Sequence, residues 1–232
     1  MTNHNLSKKD LEEIAKQVVA ETEKREQFSR RSETFFERNL DLISRTIYVG
    51  SVTFDAAGSA KGVDARMAEY AIKGIRLLNT YDDKPINIVM NNPGGSVYDG
   101  YAIYDAIASS QSPVDIEVLG QAMSMGAIIM QAGRKRIVYP NTQIMIHDGY
   151  LNFSEMPVRA AEAWAKSGKK ERDRTYRIFS ERTSLPVSFW RERFSHDCLI
   201  DAKEALELKI ADEIKPHSSW RTQLKLKVSQ DR

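Results

Sequence analysis

The sequence predicts an α/β fold, because short apolar runs typical of strands alternate with longer amphipathic segments typical of helices. Turn chemistry agrees with this alternation, since a Pro-Gly-Gly turn and a serine between glycines each separate a predicted strand from a predicted helix. The length of 232 residues is enough for one substantial core. We therefore expect one main domain with smaller appendages.

The first element, residues 1–45, is predicted to be a charged helical extension or a removable leader. Leu11, Ile14 and Val18 recur at helical spacing among many Lys and Glu residues. Between residues 7 and 45 no Pro or Gly interrupts this pattern, so that one or two amphipathic helices can form.

The remaining elements follow in a regular order and are bounded by Gly, Pro, Asn or Ser. Apolar runs rich in Ile and Val predict strands at 46–50, 86–90, 114–119, 136–139, 143–146 and 211–214. Helical composition and spacing predict helices near 98–107, at 125–132, over a long segment at about 155–183, after Pro186, and at 202–208. The stretch 216–232 is a polar tail.

Composition excludes several classes of function. The formal net charge of +2 offers no field for steering onto nucleic acid, and no apolar run approaches the length of a membrane span. The single cysteine, Cys198, can form neither a disulfide within the chain nor a metal site with several thiolate ligands. We expect it to be a packed, structural side chain. The polar amino-terminal stretch lacks the apolar region of a secretory signal, and no Gly-rich loop followed by Lys-Ser/Thr is found to bind a nucleotide. We expect a cytoplasmic protein without metal or cofactor.

Ser124 is the candidate nucleophile, because it stands between Gly120 and Gly126 where a strand gives way to a helix. A serine hydroxyl needs a base to take its proton. His147 ends the apolar strand at 143–146 and is the candidate base, whereas the histidines at 4 and 217 lie in polar terminal stretches.

Two main-chain N–H groups are candidates for an oxyanion hole. The N–H of Met125, at the start of a helix, has no acceptor within that helix. The N–H of Gly95 follows a Pro-Gly-Gly turn in which no side chain blocks approach.

Three motifs together resemble the proteolytic subunit of the Clp protease family. They are Gly-Gln-Ala-Met-Ser-Met-Gly-Ala at 120–127, Asn-Asn-Pro-Gly-Gly at 91–95 and Pro-Asn-Thr-Gln-Ile-Met-Ile-His at 140–147. The resemblance runs from about Arg45 to Ile214 and implies a peptidase domain over 46–215. The implied fold is the superhelix of repeated β-β-α units shared with crotonases, and the long helix is similar to the family's protruding handle.

The resemblance also implies a Ser-His-Asp triad made of Ser124, His147 and Asp197. Asp197 stands before a pattern that ends in Ala-x-Glu-Ala, as the family's aspartate does. Asp201 is a weaker candidate because it stands where a helix-capping residue is expected. Asp148 is weaker still, since adjacent strand residues point to opposite faces.

The implied activity is that of a serine endopeptidase that cleaves unfolded polypeptides inside a chamber. Family members form heptameric rings stacked as a tetradecamer, so a homo-oligomer of this kind is expected. By resemblance, an extended substrate pairs with the segments beside Gly95 and after His147. The expected substrate-binding residues are Gly94, Ser96, Val97 and Gly149.

The sequence departs from the family where an ATP-dependent unfoldase docks. The family's docking aromatics are replaced here by Asn87, Val89 and Ile137, so an ATP-dependent unfoldase is a possible partner whose usual docking residues are missing. A divergent partner, bound through the amino-terminal helix, is the hypothesis that follows. Residues 56–63 also resemble a small insertion, and 149–153 replace a glycine-rich strand.

Three alternatives stay open at this point. A non-catalytic ring subunit would keep the fold without the activity. A metal-dependent phosphohydrolase is suggested by two His-Asp dipeptides, at 147–148 and 196–197, although those sites occur in all-helical enzymes. An acyl-CoA-binding enzyme of the crotonase architecture would share the paired oxyanion donors without needing the triad.

Overall fold

The computed structural model of the chain describes residues 8–50, 62–149 and 155–217. Most of the expected insertion at 56–63, the segment 150–153 and the tail from 218 onward lie outside these ranges.

Seven helices and eight strands are found in the described ranges. The helices are α1 (Lys8–Arg38), α2 (Ala65–Tyr81), α3 (Val97–Ala108), α4 (Met125–Met130), α5 (Val158–Thr183), α6 (Val187–Arg193) and α7 (Ala202–Glu207). The strands are β1 (Leu40–Asp41), β2 (Thr46–Gly50), β3 (Ile86–Asn92), β4 (Val114–Met123), β5 (Lys135–Val138), β6 (Gln143–Ile146), β7 (Cys198–Asp201) and β8 (Glu213–Ile214).

The strands form one sheet, which confirms the α/β fold. Its order is β1-β2-β3-β4-β5-β8, and the five strands from β2 to β8 in that order are parallel. β4 is long enough to pair twice: its first half pairs with β5 and its last three residues pair with β6. β6 in turn pairs antiparallel with β7. The second pairing of β4 places β6 and β7 beside its carboxyl-terminal end, next to Ser124.

β4 is longer than predicted. The strand expected at 114–119 continues to Met123, because Gln121, Ala122 and Met123 pair with β6. Gly120, at a φ of 82°, provides the irregular backbone at which the strand changes partners.

Helices α2 and α3 contact each other and contribute buried side chains to the core. Along β3 the side chains of Ile86, Ile88 and Met90 are fully buried, while the residues between them are only half-buried. Asp64 caps the amino end of α2 by accepting a hydrogen bond from the Met67 N–H at 2.9 Å.

The long helix α5 is buried only in its carboxyl-terminal half. There Tyr176 and Phe179 pack with Trp190 of α6 and with Phe194, with ring centroids 5.0 to 5.4 Å apart at the three closest contacts between the two sides. The first half, from Val158, is largely exposed.

Helix α1 is a single helix that ends at Arg38, where Asn39 takes a left-handed conformation at a φ of 55°. Nearly all of its described side chains are exposed. It contacts the sheet through its last turns: Arg31 donates to the Asp41 carboxylate, and the rings of Phe35 and Tyr48 meet edge to face at 4.9 Å.

Candidate active site

Ser124 occupies the turn between β4 and α4, where the backbone adopts an unusual conformation. Its φ of 51° and ψ of −117° lie outside the regions that a serine ordinarily adopts. Such a conformation costs on the order of 1–3 kcal/mol and persists only where the surrounding structure enforces it. A strand-to-helix turn of this kind is also how hydrolases expose a nucleophilic serine.

The pairing of β4 with β6 brings His147 to Ser124. These strands are parallel, with Met123 opposite Met145, and the Ser124 N–H donates to the Met145 carbonyl at 2.8 Å. His147 follows Met145 by two residues and therefore extends from the same edge. Its Nε2 lies 2.7 Å from the Ser124 Oγ.

The pairing of β6 with β7 brings Asp197 to the other side of the imidazole. Cys198 pairs with Ile146 in an antiparallel register, which places Asp197 beside His147. Asp197 Oδ1 lies 3.2 Å from His147 Nδ1. The side chain of His147 is 12% exposed and that of Asp197 is 61% exposed, so the carboxylate faces solvent while the imidazole is largely enclosed. The structure thus brings the three predicted residues together.

Gly94 and Gly95 have no room for side chains. At Gly94, where φ is 96°, a Cβ would lie 2.8 Å from the Ser124 Cβ. At Gly95, where φ is 142°, it would lie 2.4 Å from the Val63 carbonyl oxygen. Only glycine fits such positions, and its absence of a side chain lets the loop approach the serine turn closely.

The N–H of Gly95 points away from Val63. The Val63 N–H donates to the Gly94 carbonyl at 2.6 Å, and the Ser96 N–H donates to the Val63 carbonyl at 2.9 Å. These are the two bonds that a parallel strand makes around an intervening residue, so the Gly95 N–H faces the opposite side.

Met125 is the first residue of α4, and its N–H has no acceptor within the helix. A Cβ on Gly94 would lie 3.2 Å from this nitrogen, so the glycine loop and the helix start are neighbours. Two main-chain donors beside a serine hydroxyl are the kind of arrangement that can stabilise an oxyanion.

A cavity of about 310 Å³ opens beside Ser124. It lies between α3, α4 and the middle of α5, and Val97 and Gly149 of the predicted substrate-binding set are part of its wall. Ser96 of that set is the N-cap of α3, where its side chain accepts from the Asp99 N–H at 3.5 Å. The wall also includes Met125, Ile128, His147, Trp164, Arg172 and Phe194.

The two weaker aspartate candidates have other partners. Asp201 caps α7 by accepting from the Glu204 N–H at 2.8 Å, as predicted. Asp148 accepts a hydrogen bond from the hydroxyl of Tyr176 at 2.6 Å, which leads its carboxylate away from the imidazole. Cys198 is buried, with Arg193 Nη1 at 3.5 Å from its Sγ, and is a packed side chain as expected.

Tyr176 is a neighbour of the site that the sequence did not indicate as functional. It lies about thirty positions from His147 in the chain, and nothing in the helical pattern of α5 distinguishes it from a core residue. Its proximity to Asp148 follows from how α5 packs.

The two His-Asp dipeptides do not converge on one metal-type site. His147 contacts Ser124, whereas His196 is exposed and lies 3.1 Å from the hydroxyl of the preceding residue, Ser195. Within residues 8–50, 62–149 and 155–217, no group of three or more His, Cys, Asp or Glu side chains is arranged to hold a metal ion. In the same ranges no helix is long and apolar enough to span a bilayer.

Comparison of the sequence with known proteins identifies a family. A family model described as Clp protease matches residues 56–218. The ATP-dependent Clp protease proteolytic subunit of Deinococcus radiodurans is 33% identical over 187 residues, which cover 77% of this chain and 86% of that protein. The chain therefore belongs to the Clp protease family, and it is a peptidase of that type.

Proposed function

We propose that this chain is a serine endopeptidase that hydrolyses peptide bonds of unfolded polypeptides through Ser124, His147 and Asp197. One observation carries the proposal: His147 Nε2 is 2.7 Å from the Ser124 hydroxyl, while its Nδ1 is 3.2 Å from the Asp197 carboxylate. An imidazole held between a hydroxyl and a carboxylate can accept the proton of the first and be oriented by the second.

In the proposed reaction the Ser124 Oγ attacks the carbonyl carbon of the scissile peptide bond. His147 Nε2 accepts the hydroxyl proton and then donates it to the leaving amine, so that the C–N bond breaks and an ester on Ser124 remains. A water molecule, deprotonated by His147, hydrolyses that ester and restores the serine. Asp197 keeps the imidazole in the tautomer that leaves Nε2 free to accept.

The N–H groups of Gly95 and Met125 are the proposed oxyanion donors. Support comes from the orientation of the Gly95 N–H away from Val63 and from the approach of the Gly94 backbone to the Met125 nitrogen. Gly94, Ser96, Val97 and Gly149 are the proposed contacts of an extended substrate, and main-chain pairing of this kind would make cleavage depend little on side chains.

We further propose that the chain works inside a chamber formed by two stacked heptameric rings. Support comes from membership of the Clp protease family together with the long α5, whose first half extends from the core with exposed apolar side chains at Val158 and Trp164. An unselective endopeptidase is safe for other proteins when its nucleophile is enclosed.

A fluorophosphonate probe tests the proposed nucleophile directly. We expect intact-mass analysis to show one adduct per chain on the wild-type protein and none on Ser124→Ala. Peptide hydrolysis should fall by at least about 10³-fold in the same variant, since the oxyanion donors and binding alone leave only residual catalysis. A chelator should leave the wild-type rate unchanged.

The control is a pair of measurements on both proteins, circular dichroism for folding and sedimentation for assembly. A folded and assembled wild-type protein that forms no adduct would refute the proposal in favour of a non-catalytic ring subunit. An adduct that persists in Ser124→Ala would place the reactive group elsewhere.

A further inference from the structure

Asp148, the residue after the proposed base His147, is held by hydrogen bonds at both its main chain and its side chain. The Asp148 N–H donates to the Phe194 carbonyl at 2.7 Å, and the Asp148 carboxylate accepts from the Tyr176 hydroxyl at 2.6 Å. Arg172 Nη1 lies 3.6 Å from the same carboxylate. Because Asp148 follows His147 in the chain, these contacts restrict the position of the His147 backbone and therefore of its imidazole.

Phe194 connects the same point to the segment that carries Asp197. It lies three residues before Asp197 and just after α6, and its ring meets the Tyr176 ring at a centroid distance of 5.4 Å. Tyr176 therefore contacts both segments, the one with His147 through its hydroxyl and the one with Asp197 through its ring.

Tyr176 is itself held firmly. The residue is 1% exposed, and its ring belongs to the aromatic cluster of α5, α6 and Phe194. Burial raises the pKa of its phenol well above the usual range, and the neighbouring Asp148 carboxylate adds to that rise. The phenol consequently remains a neutral donor wherever the proposed chemistry operates.

We infer that Tyr176 is a positioning residue, which holds His147 and Asp197 in register with Ser124 through Asp148 and Phe194. This inference rests on the proposed function, since it assigns Tyr176 to the same reaction. It also makes the geometry of the base depend on helix α5, because a shift of α5 would move the Tyr176 hydroxyl and with it Asp148.

Tyr176→Phe tests the inference because it removes one hydroxyl and keeps the ring that packs on Phe194. We expect kcat for a short peptide and the rate of fluorophosphonate labelling each to fall by about 10-fold, with KM unchanged, since a small misplacement of a catalytic group lowers the rate without weakening binding. Thermal unfolding separates this effect from a loss of fold.

A matched control is Tyr139→Phe. The Tyr139 hydroxyl donates to the Glu117 carboxylate at the same distance of 2.6 Å, but neither residue is part of the wall of the cavity beside Ser124. This variant should keep the wild-type kcat. The variant Asp148→Ala removes the acceptor instead of the donor, and its loss should not add to that of Tyr176→Phe in the double variant, because both remove one bond.

The outcomes separate this inference from the proposed function. If the wild-type protein is labelled at Ser124 but Tyr176→Phe and Asp148→Ala keep its kcat, the inference is wrong and the proposed function stands. Fully additive losses in the double variant would also refute it. If the wild-type protein is not labelled, the proposed function fails and the inference fails with it.

Discussion

A side chain at position 94 would collide with the turn that holds Ser124. Besides the Ser124 Cβ, the Met123 carbonyl oxygen would lie 2.8 Å from a Cβ there, and the φ of 96° suits glycine. We expect Gly94→Ala to cost on the order of 1–3 kcal/mol of stability through backbone strain. Peptide hydrolysis should fall about 100-fold, since the serine turn must shift. Chemical denaturation and a peptide assay measure the two effects.

The control is Gly50→Ala in β2. Among the residues that the structure describes, a Cβ there would meet only the Asn91 carbonyl oxygen, at an ordinary contact distance of 3.5 Å, and the backbone is not left-handed. This variant should keep the wild-type peptide rate. If Gly94→Ala hydrolysed the peptide as fast as Gly50→Ala, the prediction would be wrong, because the site would then tolerate a displaced serine turn.

At the scale of residues, the sequence could indicate Ser124, His147 and Asp197 because each stands at the end of a recognisable strand or before a recognisable motif. Their meeting depends on register, Met123 opposite Met145 and Ile146 opposite Cys198, which no local pattern specifies. Tyr176 could not be identified in this way, because a buried tyrosine on a helix is ordinarily a core residue.

At the scale of elements, helix α1 is held to the sheet through few contacts. Arg31 donates to Asp41, whose carboxylate also accepts from the Ile43 N–H at 3.1 Å and from the Ser44 hydroxyl at 2.7 Å. The bond from Arg31 is the main reason that the pKa of Asp41 falls to about 2. The ionised carboxylate thus anchors both α1 and the turn after β1.

Asp41→Asn should lower the Tm at neutral pH, because the amide loses its charge and cannot serve all these donors. The pKa of Asp41 is lowered in the folded state, so its contribution is present above the ordinary aspartate value and is lost as pH falls through about 2. The difference in Tm between wild type and variant should therefore shrink as pH is lowered from 4 to 2. Calorimetry over this range measures it.

The matched control for this prediction is Glu21→Gln on the same helix. Glu21 pairs with Arg25 at 3.4 Å, but both side chains are largely exposed, so the variant should leave the Tm unchanged. A difference between wild type and Asp41→Asn that stays constant down to pH 2 would contradict the role given to the carboxylate.

Three elements, β1, β7 and α2, are not given bounds by the sequence, and each has a physical reason. β1 is two residues long and exists because Leu40 and Asp41 pair with β2, which is a tertiary contact. β7 has the alternation of a strand, but its last residue, Asp201, is also the cap of α7, so that the helix is the stronger local pattern. α2 contains Gly74, which lowers its helical propensity although the glycine packs against Ile47.

At the scale of the whole molecule, the outer face of the sheet shows how a partner could be selected. One row across four strands consists of Tyr48, Val89, Glu117 and Ile137, and every member is half-buried. The positions proposed to replace the family's docking aromatics therefore lie on one face. Beside Tyr48, this row offers the aliphatic side chains of Val89 and Ile137 on either side of the Glu117 carboxylate, at positions where the resemblance expects aromatic anchors.

The carboxylate at the centre of this row is ionised and held in place. Burial opposes ionisation of Glu117, but hydrogen bonds from Lys215 and Tyr139, each 2.6 Å long, outweigh it and lower its pKa. A charge fixed among apolar side chains disfavours an apolar partner loop, because docking would remove that charge from water. The charge on this face is therefore expected to disfavour docking of the usual unfoldase.

We therefore expect a standard Clp unfoldase with ATP to leave casein degradation by this chain unchanged, while it stimulates the Deinococcus radiodurans subunit under the same conditions. Replacing the small side chains by aromatic ones, in Asn87→Tyr with Val89→Tyr, should introduce stimulation, and adding Glu117→Gln should increase it because no charge is then buried. Short-peptide hydrolysis in each variant controls for an intact site. If the unfoldase fully stimulated casein degradation by the wild-type chain, this argument would be wrong, and the sheet face would be able to dock the unfoldase without added aromatic side chains.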